Sequence, residues 1–378
     1  NIWGRNRRKS PLYNRLTSLG AEFSEKNGWE RVNFFNPEKP SRQAGADQHQ
    51  WGWGRPAYHD LVRAECLAAR ERVALFDMTS FGKFEVNGDG ALGLLQRVAC
   101  NNVDRPVGSL VYTQFLNAHG GIESDLTVCR LATDRFRVIT GTSFLSNDLE
   151  WVRQHAPEDG SVEVRDVTDD LACIGLWGPN ARDVLDQATD NDISNDTFPY
   201  LTAQELTVAG KPAWAQRVSY VGELGWELLL SNDNAETVWD SLLELGQVHG
   251  IRPAGYKALD SLRMEKGYVY WGTDVTPEDN LLEAGLGFCA DMAKGDFIGR
   301  DAFAKRKKEG LQSRLRTVVL EGNAFPAYGA ESVWHNGEIV SRLRSAGHAH
   351  TIDKSIAYCY LPLPLAKPGM EVEIELFG

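Results

Sequence analysis

Apolar and polar positions follow two rhythms along this chain, and the changes between them mark its organisation. From residue 58, YHDLVRAECLAARERV carries apolar residues at three- and four-residue spacing, the period of a helix with one buried face. FGKFEV then switches to period two and predicts a strand, and ALGLLQRVA returns to helical spacing. Further strands are predicted at VYTQFLN, DLTVCRL, RFRVITG, VEVRDVT, LACIGLWG, WAQRVSY and WELLLS, with helices at FLSNDLEWVRQHA, NARDVLDQA and AETVWDSLLELGQVHG. Strands arrive in groups joined by glycine turns, without strict strand–helix alternation. That favours an α+β fold over a doubly wound sheet.

The two ends differ from this centre. Residues 1–55 read as an N-terminal arm or linker: a basic start, the helical patch LYNRLTSLGAEFSEK, the aromatic-rich NGWERVNFF and the polar tract NPEKPSRQAGADQHQ. Residues 56–305 hold the two main subdomains, and 306–378 form a C-terminal domain. From about residue 312 its short segments RLRTVVLEG, SVWHNGEIVSRLRSAGH, SIAYCYL and MEVEIELFG predict a small β-barrel or sandwich. The chain opens on Asn1 and its last strand stops at Phe377-Gly378, so a processed chain or a piece of a longer one is expected.

Composition narrows the function classes. At 378 residues the chain exceeds one ordinary core, in line with several subdomains. A net charge of −12 argues against a nucleic-acid partner, which selects for a basic face. No run approaches the roughly 18 apolar residues of a membrane span, so no membrane partner is expected. Six cysteines without a C-x-x-C pair read as buried thiols in a reducing compartment, either bacterial cytoplasm or, after processing, the mitochondrial matrix. His348 and His350 in AGHAH share a strand face, but no neighbouring cysteine or third histidine is evident in the sequence, and no metal is predicted.

Gly88, Gly90 and Gly93 spell G-x-G-x-x-G between a strand and a helix. A dinucleotide site also needs a following parallel strand and an acid about twenty residues on, and both are missing. Three other stretches carry more chemistry. In NAHGGIESDLTVCRL, Asp125 and Thr127 share one strand face, where a carboxylate beside a hydroxyl can hold and protonate a nitrogen base; a solvated turn aspartate is the competing reading. In SYVGELGWELLL, Glu223 occupies a glycine turn and Glu227 an apolar strand. There a carboxylate needs either a ligand with paired N–H donors or an internal arginine. In YKALDSLRMEKGYVYWGTD, Asp260, Arg263 and Lys266 fit a salt-bridge ladder, or Arg263 binds a ligand carboxylate.

Together with SPLYNRLTSLGAEFSEKNGWERVNFF, ALFDMTSFGKFEVNGDGALGLLQ, IGLWGPNARDVL and FIGRDAF, these stretches span nearly the whole chain in order. The chain resembles the folate-binding half of dimethylglycine and sarcosine dehydrogenases and oxidases, which is similar to the aminomethyltransferase (T-protein) of glycine cleavage. The resemblance implies a three-subdomain cloverleaf with a small C-terminal β-barrel, built around a central hole for tetrahydrofolate. It places Asp125 near folate N10 with Thr127 beside it, and Glu227 on the pterin. Phe81, Tyr112, Ile139, Tyr200 and Tyr220 would line the pocket, and Arg263 would face the glutamate tail. The turn reads ESDL where T-proteins often read DDL, which leaves Glu123 without a role.

The implied activity is capture of an iminium or formaldehyde unit from a methylated amine as 5,10-methylenetetrahydrofolate. The implied partner is an upstream demethylating domain or subunit, and any FAD would belong there. A transfer of aminomethyl or methyl groups to folate, or a non-catalytic regulatory role, are the alternatives.

Overall fold

An Asn-Gly pair turns the first hairpin. In the computed structural model, which describes residues 4–38, 54–322 and 327–377, helix α1 (Tyr13–Ser18) leads into β1 (Ala21–Lys26) and β2 (Trp29–Phe35). Asn27 and Gly28 between them both hold positive φ, the requirement of a tight two-residue turn. The polar tract of the arm from 39 to 53 lies outside the described residues. The arm's first part is no detached linker: Leu12, Leu16, Val32 and Phe35 pack into one core with Leu176, Trp226 and Trp239.

Helix α2 (His59–Glu71) follows, then β3 (Ala74–Asp77), β4 (Gly82–Asn87), α3 (Ala91–Val98), β5 (Leu110–Leu116), β6 (Ile122–Ala132), β7 (Arg135–Thr140), α4 (Leu145–Gln154) and β8 (Glu163–Asp166). The second half of the centre is β9 (Leu171–Trp177), α5 (Ala181–Ala188), β10 (Ala203–Val208), β11 (Lys211–Gln216), β12 (Gly225–Ser231), α6 (Ala235–Leu245), β13 (Arg252–Ala254) and α7 (Tyr256–Glu265). Helix α8 (Arg300–Glu309) leads to β14 (Ser313–Leu320), β15 (Ser332–His335), β16 (Glu338–Ala349), β17 (Lys354–Pro362) and β18 (Glu373–Ile374).

These strands build three larger sheets. One runs β5-β6-β7-β4-β8 and is antiparallel throughout. The second runs β10-β11-β12-β9-β3-β13, and only its β3–β13 edge is parallel. The third, β14-β17-β16-β15-β18, is the C-terminal barrel-like unit. The α+β reading therefore holds. The G-x-G-x-x-G stretch sits where β4 has antiparallel neighbours on both sides, β7 and β8, so no mononucleotide-binding unit forms. Gly88, at φ 113°, serves the turn: a Cβ there would lie 2.3 Å from the Ser161 carbonyl oxygen.

Buried Glu65 on α2 ties the arm to the centre. One carboxyl oxygen accepts the Phe35 N–H at 2.6 Å and the other the Gly255 N–H at 3.0 Å. Glu65→Ala leaves two buried donors without partners, and a loss of about 2–4 kcal/mol is expected by chemical denaturation. All six cysteines are buried and free, and among the described residues no helix is long and apolar enough to cross a membrane.

Candidate functional site

Cross-strand register puts one residue from each of four strands on a single rung. Tyr112 of β5 stands opposite Thr127 of β6, Thr127 opposite Ile139 of β7, and Ile139 opposite Lys83 of β4. The adjacent rung, Val111–Val128–Val138–Phe84, points the other way and fills the core. Tyr112, Thr127 and Ile139 are half-buried, as expected of residues that line an interior space.

Asp125 shares the face of Thr127, two residues away on β6. Its Oδ1 accepts from Gln114 Nε2 at 2.7 Å, leaving Oδ2 free of any side-chain amide. Burial pushes its carboxyl up to about 6, with the neighbouring Tyr112 hydroxyl and the Gln114 amide opposing. Asp148 of α4 adds to the upward shift through its charge. Ser124 Oγ and Thr140 Oγ1 both donate to it, and burial raises it to about 6 as well. Burial thus holds both carboxyls above the ordinary aspartate range.

Glu227 lies on β12 between Gln216 of β11 and Gly175 of β9. Burial raises its carboxyl to about 7, against the charge of Lys83. Among the described residues no donor bonds this carboxylate, and the internal arginine that the sequence left open is not there. Lys83 Nζ is itself spoken for, donating to the carbonyls of Thr79 at 2.8 Å and Phe81 at 2.9 Å, and burial lowers it to about 8. The result, among the described residues, is an acceptor without donors.

Phe81, Ile139, Tyr220, Tyr256 and Trp214 pack against one cluster that includes Phe76, Cys173, Trp177 and Leu229, and the Glu227 charge acts on the Cys173 thiol of that cluster. The Phe81 and Tyr256 rings lie 16° from parallel with centroids 6.4 Å apart. The Tyr220 hydroxyl donates to the Val269 carbonyl at 2.7 Å, and its ring stacks on Tyr268 at 6.2 Å. Tyr200 is not among them. It is 61% exposed and lines a cleft of about 320 Å³ with Arg217, Ser219 and Tyr268.

Arg263 also departs from the expected ligand contact. It is 2% exposed, and its guanidinium makes four hydrogen bonds, to Asp260, the Tyr268 carbonyl, Asp274 and Ser345. Asp274, at 0% exposure, also accepts the Ser345 and Tyr270 N–H groups, so the cluster locks α7 onto the barrel. Arg263→Ala strands the Asp274 charge, and a stability loss of about 3–5 kcal/mol is expected by denaturation. Glu223 pairs with Arg70 at 2.9 Å and Lys266 at 3.2 Å, while Glu123 accepts from Asn117 at 2.9 Å.

Sequence reasoning missed Lys83, Gln114, Asp148 and Tyr256. A lysine amid the apolar strand FGKFEV was a usable signal; Asp148 offered none, because Ser124 and Thr140 reach it only in the folded chain. A further correction concerns His348 and His350. A third histidine does join them: His59, with ring centroids 4.7 Å from each.

Comparison with known proteins agrees with this architecture. The GCVT N-terminal domain family matches residues 12–294, and the glycine cleavage T-protein C-terminal barrel domain matches 314–378. Human mitochondrial sarcosine dehydrogenase is 36% identical over 97% of this chain and 43% of its own length. The formaldehyde-forming 4-methylaminobutanoate oxidase of Paenarthrobacter nicotinovorans is 40% identical over 99% of this chain and 45% of its own. The chain thus spans less than half the length of these relatives. The glycine cleavage aminomethyltransferase T structure from Bartonella henselae superposes with a TM-score of 0.83 at 24% identity, covering 99% of this chain and 95% of that one. The family matches, the relatives and the shared fold lead to one conclusion: this chain belongs to the glycine cleavage T-protein (GCVT) family.

Proposed function

We propose that this chain is the tetrahydrofolate-binding one-carbon acceptor unit of an amine-demethylating enzyme. The observation that carries the reading is the Glu227 carboxyl, raised to about 7 by burial and bonded by no donor among the described residues. Burying a charge without partners is costly, so a ligand with donors is the natural complement. A pterin edge, with an amino group beside a ring N–H, offers two donors in the geometry a carboxylate accepts. Phe81, Tyr112, Ile139 and Tyr220 would then flank the flat ring system. Tyr200 would stand at the outer cleft, and Arg263 would hold the frame.

When bound, tetrahydrofolate supplies two nitrogens that together take up a one-carbon unit. The chain's part is to position and to manage protons. The Asp125 carboxylate would accept a proton from N10 and return it, and with a carboxyl near 6 both of its forms are populated around neutral pH. Thr127 borders that position, and Gln114 fixes the carboxylate's orientation. In this enclosed setting, the ionised form also stabilises positive charge that develops beside it. Enclosure by the aromatic walls keeps a reactive iminium or formaldehyde from bulk water. The demethylation chemistry, and any flavin, is assigned to a domain or subunit beyond this chain.

Mixing the purified chain anaerobically with tetrahydrofolate and formaldehyde tests this. Methylenetetrahydrofolate should form faster than without protein. No acceleration, together with turnover of an aminomethyl-lipoyl donor, would move the assignment to a free-standing aminomethyltransferase.

A further inference from the structure

We infer that His59, His348 and His350 form a binding site for one divalent transition-metal ion of the zinc class, which clamps the C-terminal barrel to helix α2. His59 opens α2, whereas His348 lies near the end of β16 and His350 just beyond it. The fold brings them together through α7, where Ser261 Oγ donates to the His348 carbonyl at 2.7 Å. The three ring centroids form a nearly equilateral triangle with sides of 4.7, 4.7 and 4.8 Å, and one ring nitrogen from each residue lies within 4.8 Å of the others.

Two further features point to a ligand. His350 is 5% exposed and its buried Nδ1 has no hydrogen-bond partner among the described residues. Such groups are rare in native proteins, and coordination would satisfy this one. His348 Nε2 lies 3.0 Å from Asp353 Oδ1, which orients the ring and leaves Nδ1 as its metal ligand, the carboxylate–histidine–metal arrangement.

Imidazole donors select zinc and its neighbours over calcium or magnesium, which require oxygen ligands. Tetrahedral zinc, with Zn–N near 2.1 Å, would draw the three nitrogens to about 3.4 Å from one another. Rotation of the rings by side-chain torsions supplies that contraction. Three protein ligands leave the fourth position to water. With ligands from two domains, the ion acts as a cross-link.

The test uses a tag-free chain stripped with chelator and titrated with Zn²⁺, and with Co²⁺ for its visible spectrum. One equivalent of metal, a four-coordinate Co²⁺ spectrum and a raised melting temperature are expected. His350→Ala and His59→Ala should each weaken binding by about 100-fold or more, and Asp353→Asn by about 10-fold. Circular dichroism checks that each variant folds. Where His350→Ala does not fold, His348→Ala, at the more open position, takes its place with the same expected loss. A folded wild-type chain that binds no stoichiometric metal, or binding that survives these substitutions, would overturn the inference and leave three imidazoles packed against one another.

Discussion

Asp125→Asn should slow methylenetetrahydrofolate formation by about 100-fold or more, the usual worth of a positioned proton carrier. Asparagine keeps the size of the side chain and an oxygen for the Gln114 amide, but it cannot take a proton. In the wild type, kcat at saturating tetrahydrofolate should rise with pH as the carboxylate ionises, with its midpoint near the free carboxyl's value of about 6, and this limb should vanish in the variant. Stability moves the other way. The folded carboxyl titrates above its ordinary 3.8, so its contribution is fully present below 3.8 and is lost as pH rises through about 6. The variant should therefore melt no lower than the wild type at pH 7, which separates lost chemistry from lost fold. Rapid-quench turnover and a thermal melt measure the two effects, and normal turnover by a folded Asp125→Asn would remove Asp125 from the mechanism.

Glu227→Gln should weaken tetrahydrofolate binding by about 10–150-fold, which corresponds to the roughly 1.5–3 kcal/mol of hydrogen bonds to a charged acceptor. The pH dependence supplies a second signature. Donors on the ligand favour the ionised carboxylate, whose carboxyl in the free protein lies at about 7. Affinity should then be level above pH 7 and decline below it as protons compete, and in the variant this decline should disappear. Because burial alone lifts Glu227 so far, the glutamine protein should be as stable as the wild type near neutral pH, and its loss of binding would not reflect unfolding.

Legibility of the site followed sequence distance. Asp125 and Thr127 were readable as a pair because two residues on a strand always share a face, and the structure keeps them together. Their partners Tyr112, Ile139 and Lys83 depend on cross-strand register, which no local spacing encodes; the first two came from the family resemblance alone. Arg263 shows the limit of both routes. Its contact with Asp260 three residues earlier was readable from helical spacing and forms, at 2.9 Å. Its engagement by Asp274 and Ser345 was not readable, and it supplies the guanidinium with protein partners that the resemblance did not imply. The Asn27-Gly28 hairpin was open to inspection as a turn signal, yet it lay in a segment read as an arm. His59 lies nearly three hundred positions from His348, and only the packing of α2 and α7 against the barrel unites them.

The central claim is a folate pocket built on Glu227, and anaerobic calorimetric titration of the purified chain with tetrahydrofolate tests it most directly. One site of micromolar affinity in the wild type, with the heat largely lost in Glu227→Gln, is the predicted result. A folded wild-type chain that gives no binding heat, or a Glu227→Gln protein that binds as tightly as the wild type, would contradict it.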